Sequence, residues 1–257
     1  MIKIILSLLS ATLLFGEFEV NGHLDLDSQT YLSAPSAKHQ NNYTLKQTLK
    51  FKYEDDDYSA FASLYAQEDY YDTKGTNSKN RRSFARLDEL YLKMDFEDDS
   101  VEAGKVIKFW GALEFRNIVD VFNSKEFRDD LFSKINKLGV WNGAYSHYTD
   151  SGEISVIVKL YEQDQKMAAY PYVYYIFPTQ VSYDNDLESS NGELRPSLYL
   201  KYSGSTDSEY PLDFAFIYEN GYDSQRYFTP VVTQPSSYVQ NAYLVNKFMT
   251  YNTLVLG

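Results

Sequence analysis

The feature that most constrains this chain is a two-residue alternation of apolar and polar side chains that recurs along most of its length. Phe18, Val20, Leu24 and Leu26 alternate with Glu17, Glu19, Asn21, His23, Asp25 and Asp27. Tyr43, Leu45, Leu49, Phe51 and Tyr53 then alternate with Thr44, Lys46, Thr48, Lys50, Lys52 and Glu54. Successive side chains of an extended strand point to opposite faces, so each run is a strand dividing an apolar environment from a wet one. Further strands are expected at 59–68, 84–97, 101–109, 140–148, 153–162, 194–202, 212–219 and 239–249. In the 84–97 run, Leu90, Leu92, Met94 and Phe96 share a side, but Ala85 and Leu87 are out of phase with them. One extra residue would restore the phase, which predicts a β-bulge near Asp88 and Glu89.

Most of these runs are about nine to eleven residues, the length a tilted strand needs to cross a bilayer. The links between them alternate in length. Those at 55–57, 98–100, 149–152 and 203–211 are the shorter set, and those at 33–42, 70–83, 110–138, 163–193 and 220–238 the longer. A transmembrane antiparallel β-barrel predicts that rhythm, with short periplasmic turns and long outer loops. The expected fold is therefore all-β, a transmembrane antiparallel barrel with ten strands legible, read as the N-terminal part of a larger one. The chain ends on Leu256 and Gly257 rather than on the aromatic residue that usually finishes such a barrel.

Residues 1–16, MIKIILSLLSATLLFG, read as a secretory signal, with Lys3 before an apolar run from Ile4 to Phe15. The mature part, 17–257, is then one domain placed in the outer membrane of a Gram-negative bacterium. The chain has 25 tyrosines and 16 phenylalanines, residues that favour strands. Its net charge of -12 argues against a nucleic-acid partner, which requires a basic surface. With no cysteine, disulfide frameworks and thiolate metal sites are excluded.

Three stretches carry a resemblance to a known group. They are Arg86-Leu-Asp-Glu-Leu-Tyr-Leu92, then Glu102-Ala-Gly-Lys-Val-Ile-Lys-Phe-Trp-Gly111, then Asn117-Ile-Val-Asp-Val-Phe-Asn123. Over roughly 84–140 the chain resembles an uncharacterised family of Gram-negative outer-membrane barrels related to porins and alginate-export channels. Gly104-Lys105, Trp110-Gly111 and Asp120-Val-Phe-Asn123 stand at the family's motif positions. Lys105 replaces its usual arginine, and Ser124 its usual proline. The resemblance implies a place in the outer membrane, with its lipid as surroundings, more than a chemistry; the barrel reading adds the expectation of a porin-like channel for small hydrophilic solutes with no cofactor. A homo-oligomer is compatible with it.

A channel needs a polar lumen and a charged constriction. The third long link, 110–138, is the segment expected to fold inward, with Glu114, Arg116, Asp120, Arg128, Asp129 and Asp130 as candidate constriction residues. The equal alternative is that these charges solvate the loop or bond within it. Short helices are expected around Asn117–Phe122 and Ser124–Ile135, the second capped by Asn123 or Ser124. Lys46, Lys50, Lys52, Glu102, Lys108, Arg195 and Lys201 are the candidate lumen-facing residues, because a lipid-facing lysine costs roughly 2–4 kcal/mol near the midplane.

No enzyme motif supports a catalytic reading. His23, His39 and His147 are scattered without metal-ligand spacing, and no nucleophile elbow, phosphate loop or dinucleotide fingerprint is present. The principal alternative is a secreted, soluble β-sandwich that binds carbohydrate through its many tyrosines.

Overall fold

The computed structural model describes residues 16–30, 41–70, 82–110, 120–128, 137–168, 175, 181–187, 189–206, 210, 212–222, 227–235, 240–248 and 250–256. The proposed signal segment therefore lies outside the described residues, apart from Gly16. In chain order the strands are β1 (Glu17–Thr30), β2 (Asn41–Glu54), β3 (Tyr58–Asp69), β4 (Phe84–Asp95) and β5 (Asp99–Val106). They continue with β6 (Glu126–Phe127), β7 (Val140–Thr149), β8 (Gly152–Lys159), β9 (Lys166–Met167) and β10 (Val181–Leu187). The last five are β11 (Ser197–Ser205), β12 (Asp213–Tyr222), β13 (Tyr227–Pro235), β14 (Gln240–Phe248) and β15 (Thr250–Leu256).

Ten of these form one antiparallel sheet in the order β1-β2-β3-β4-β5-β7-β8-β11-β12-β15. Asp-rich turns at 55–57 and 97–98 join neighbours tightly, as their sequence requires: the Asp55 N–H donates to the Tyr58 carbonyl at 2.8 Å and the Phe96 N–H to the Asp99 carbonyl at 2.7 Å. The bulge falls at Asp88. Ser63 faces Glu89 and Leu64 faces Leu87, so Asp88 is the extra residue. A separate three-stranded sheet, β10-β14-β13, is built from two of the long links and the expected tenth strand. The tenth strand of the main sheet is instead β15, which pairs with β12 from Phe216↔Leu256 to Tyr222↔Thr250.

Cross-strand partners share a face, so the register traces the two sides of the sheet. Lys52 faces Phe61, Phe61 faces Tyr91, and Tyr91 faces Gly104. Glu102 faces Ala144, Ala144 faces Ile157, Ile157 faces Tyr199, and Tyr199 faces Glu219. This polar face carries the buried core: Val121, Phe122 and Trp110 from the 107–128 segment lie against Ala144, Ile157, Tyr199 and Ile217, with Val140 at the start of β7. The opposite face carries Leu24, Leu26, Leu45, Leu64, Leu90, Leu92, Ile154, Val156 and Leu200, all exposed. The sheet is thus inverted, with its packed core on the side the alternation marks as polar.

The structure corrects the barrel expectation. β1 and β15 lie at opposite ends of the sheet order and do not pair with each other, so the sheet is open. A transmembrane barrel must close, because unpaired N–H and C=O groups at a sheet edge are not tolerated in hydrocarbon. With closure fall the porin-like channel, the resemblance to outer-membrane barrels, the outer-membrane location, lipid as a partner and the passage of small solutes through a lumen. Alternation shows that a strand separates two environments, and a hairpin meander can imitate alternating link lengths. Neither reports whether the first and last strands meet.

The start of the expected Ser124–Ile135 helix is also corrected, whereas residues 129–135 of it, and 117–119 of the expected Asn117–Phe122 helix, lie outside the described residues. Lys125 bridges Lys137 in antiparallel fashion, and β6 pairs in parallel with β9. The Ser124 hydroxyl donates to the Glu162 carboxylate at 3.3 Å rather than capping a helix.

Candidate binding site on the polar face

Residues 107–110 and 120–128 lie on the polar face of the sheet, and Asn123 holds them there. Its side-chain amide donates to the carbonyls of Val106 at 3.0 Å and Leu138 at 2.9 Å, and its oxygen accepts the Lys108 N–H at 2.8 Å. One side chain thereby ties the exit of β5 to the approach to β7. Next to it, Trp110, Phe122 and Tyr199 form a triangle of rings with centroids 5.3, 5.6 and 5.2 Å apart. Such pairs contribute about 0.5–1.5 kcal/mol each beyond area burial. Behind the rings, Lys159 and Glu162 pair at 2.7 Å with both side chains 1% exposed. A buried charge needs such a partner, and the Lys159 ammonium also lies 5.5 Å from the Tyr199 ring centre.

Beside Trp110 opens a cavity of about 260 Å³, lined by Lys108, Phe109, Trp110, Ala144, Ser146, Glu153, Ser155, Ile157 and Lys201. Its floor is the polar face of β7, β8 and β11. Glu153 accepts hydrogen bonds from Ser155 at 2.6 Å and Ser146 at 2.7 Å, and lies 3.6 Å from the Lys201 ammonium. On the other wall Lys108 pairs with Glu102 at 2.6 Å. Burial pushes the Glu153 carboxyl upward, but the two serine hydroxyls and Lys201 outweigh it and hold the group below its ordinary value of 4.5. The lysines of the cavity are therefore each matched by a carboxylate, leaving a neutral site rich in both donors and acceptors.

Of the candidate constriction residues, Asp120 and Arg128 fall among the described residues, and each is held in an ion pair. Glu114, Arg116, Asp129 and Asp130 lie outside the described residues. Asp120 pairs with the buried Lys137 at 2.6 Å, and burial still lowers the Lys137 ammonium despite that partner. Arg128 is bound to Glu126 through two nitrogens at 2.6 and 2.7 Å, and Arg86 reaches the same carboxylate at 2.9 Å. Asp120 and Arg128 thus fasten the segment to itself and to β4.

Of the residues read as lumen-facing, Lys46, Lys50, Lys52, Glu102 and Lys201 share the polar face, where Lys46 pairs with Asp27 at 2.6 Å and Lys52 with Glu54. Lys108 and Lys201 meet in the cavity, with Glu102 held by Lys108. Arg195 lies apart, over the Tyr222 ring at 5.4 Å. Sequence reasoning missed Ser146, Glu153 and Ser155. Their polar parity, opposite Ile154 and Val156, was the signal that could have found them. Among the described residues no group of three or more His, Asp or Glu is placed to hold a metal ion. No protein-family model matches this chain, and no curated protein matches it at a significant level.

Proposed function

We propose that this protein is an exported carbohydrate-binding β-protein that holds a neutral sugar in the cavity beside Trp110 and performs no chemistry on it. The observation that carries the reading is the pairing of an aromatic wall with a carboxylate, two serine hydroxyls and two ammonium groups in one small cavity. A sugar presents apolar C–H faces that stack on a ring, and hydroxyls that donate and accept at once. Glu153 offers an acceptor and Lys201 a donor 3.6 Å from each other, close enough for neighbouring hydroxyls of one ring to engage both. Because the charges are balanced in pairs, a neutral ligand fits better than an anion. Pockets of this kind are the default binding-site hypothesis where a few convergent polar groups meet apolar walls.

The test uses the fact that Trp110 and Trp141 are the two tryptophans of the chain. In a Trp141→Phe variant, Trp110 emission reports the cavity alone. Titration with neutral mono- and disaccharides is expected to give a saturable change. Glu153→Gln and Lys201→Met should each weaken it roughly tenfold or more, since hydrogen bonds to charged groups are worth about 1.5–3 kcal/mol. A panel of sugars that leaves Trp110 emission unchanged would sink the reading.

A further inference from the structure

The outer edge of β1 is a second candidate for recognition, separate from the cavity. β1 is paired along all fourteen residues with β2, from Glu17↔Glu54 to Thr30↔Asn41, without a break in register. It is first in the sheet order, so among the described residues no strand pairs with its other side. Half its backbone N–H and C=O groups therefore point outward as a ready template. Of the usual defences of an edge, the strand EFEVNGHLDLDSQT has acidic side chains but no proline, no lysine and no bulge.

The side chains say what kind of strand the edge would take. Leu24 and Leu26 are 65% and 73% exposed, whereas Leu45, Leu90 and Leu200 on the same face of interior strands are 45%, 44% and 42% exposed. The difference is the cover a neighbouring strand provides. On the polar face β1 carries Glu17, Glu19, Asp25 and Asp27 and no basic group except His23. Across the β2 side Glu19 lies opposite Lys52 and Asp25 opposite Lys46, and Asp27 pairs with Lys46 at 2.6 Å, whereas Glu17 faces Glu54. On the outer side no such complement stands among the described residues. Two β1 edges from separate copies would bring acid against acid, and like charges directly opposite are destabilising.

We infer that the β1 edge docks an extended segment of a partner polypeptide in which lysine or arginine alternates with apolar residues, adding it as an eleventh strand. Main-chain hydrogen bonds would supply affinity, and the acidic row would set the preference for a basic partner.

The test mixes the full chain with fluorescent peptides of about twelve residues in which leucine or threonine alternates with lysine, and with matched peptides carrying glutamate in place of lysine. The lysine peptide is expected to bind at least about tenfold more tightly, with the advantage shrinking as salt is raised. Hydrogen exchange should show added protection at alternate amides of β1. Equal binding of the two peptides, or protection elsewhere but not in β1, overturns the inference. Neither outcome bears on sugar binding in the cavity, which lies on other strands.

Discussion

At the scale of single residues, the polar face is held by side chains that each serve several partners. Asn123 satisfies three backbone groups, and Glu126 accepts from both Arg86 and Arg128. The ionisation of Glu153 bears on stability. Its folded-state pKa lies below 4.5, so the unfolded chain takes up the proton first as pH falls. Its contribution to stability is complete above that value and is lost as pH falls through the folded-state pKa. Glu89 runs the other way. Burial raises its carboxyl, against the opposing Ile107 N–H at 3.0 Å, so its contribution is present below 4.5 and is lost as pH rises. Thermal unfolding followed between about pH 3 and pH 7 should therefore show Glu153→Gln flattening the acid-side fall in Tm. Glu89→Gln should lift stability toward neutral pH instead. An acid limb unchanged in Glu153→Gln would mean that the serine hydrogen bonds do not hold the ionised carboxylate.

At the scale of elements, glycine sets how closely β4 and β5 approach. Gly104 has φ of +145°, and a Cβ there would come within 2.2 Å of the Leu90 carbonyl oxygen. Gly139 presses on the bulge itself, since its Cβ would lie 1.9 Å from the Asp88 carbonyl oxygen. The bulge, the close approach and the exit of the 107–128 segment are thus one local device. Gly104→Ala combines a backbone conformation unfavourable to L-residues with a backbone collision. It should destabilise the fold by about 1–3 kcal/mol or more, read from urea denaturation midpoints. A change below half a kcal/mol would show that β4 and β5 can separate without consequence.

At the scale of the whole molecule, the inverted sheet makes an uneven map of mutational cost. Ile157 is 3% exposed within the ring cluster, and Ile157→Ala should cost about 2–5 kcal/mol. Leu92 is 47% exposed on the other face, and Leu92→Ser should change stability by less than about 1 kcal/mol. Equilibrium unfolding of the two variants decides the matter: a large loss in Leu92→Ser would show that something covers the apolar face in solution. Exposed apolar surface of this extent marks interaction sites rather than ordinary protein surface. At the edge of β1 the same face is 65% exposed at Leu24 and 73% at Leu26, the place where the inferred partner strand would add to the sheet.

Much of the main sheet was written locally and could be read locally. The alternation located β1 to β5, β7, β8, β11 and β12 to within a few residues, and the phase slip between Leu87 and Leu90 marked the bulge at Asp88. Parity also placed Lys46, Lys52, Glu102 and Lys201 together on one face, because a strand's side-chain period is fixed by backbone geometry. Three things were not local. Whether β1 meets β15 depends on partners more than two hundred residues apart, and only the tertiary structure shows that the sheet stays open. The assignment of β14 to a second sheet depends on β10 and β13 competing for it. The cavity depends on Asn123, whose bonds to Val106, Lys108 and Leu138 fix the chain that sets Trp110 beside Glu153 and Lys201. The sequence by itself determined which residues share a face of a strand; what that face meets was decided by pairings and tethers between residues far apart in the chain, whose free energy no local pattern records.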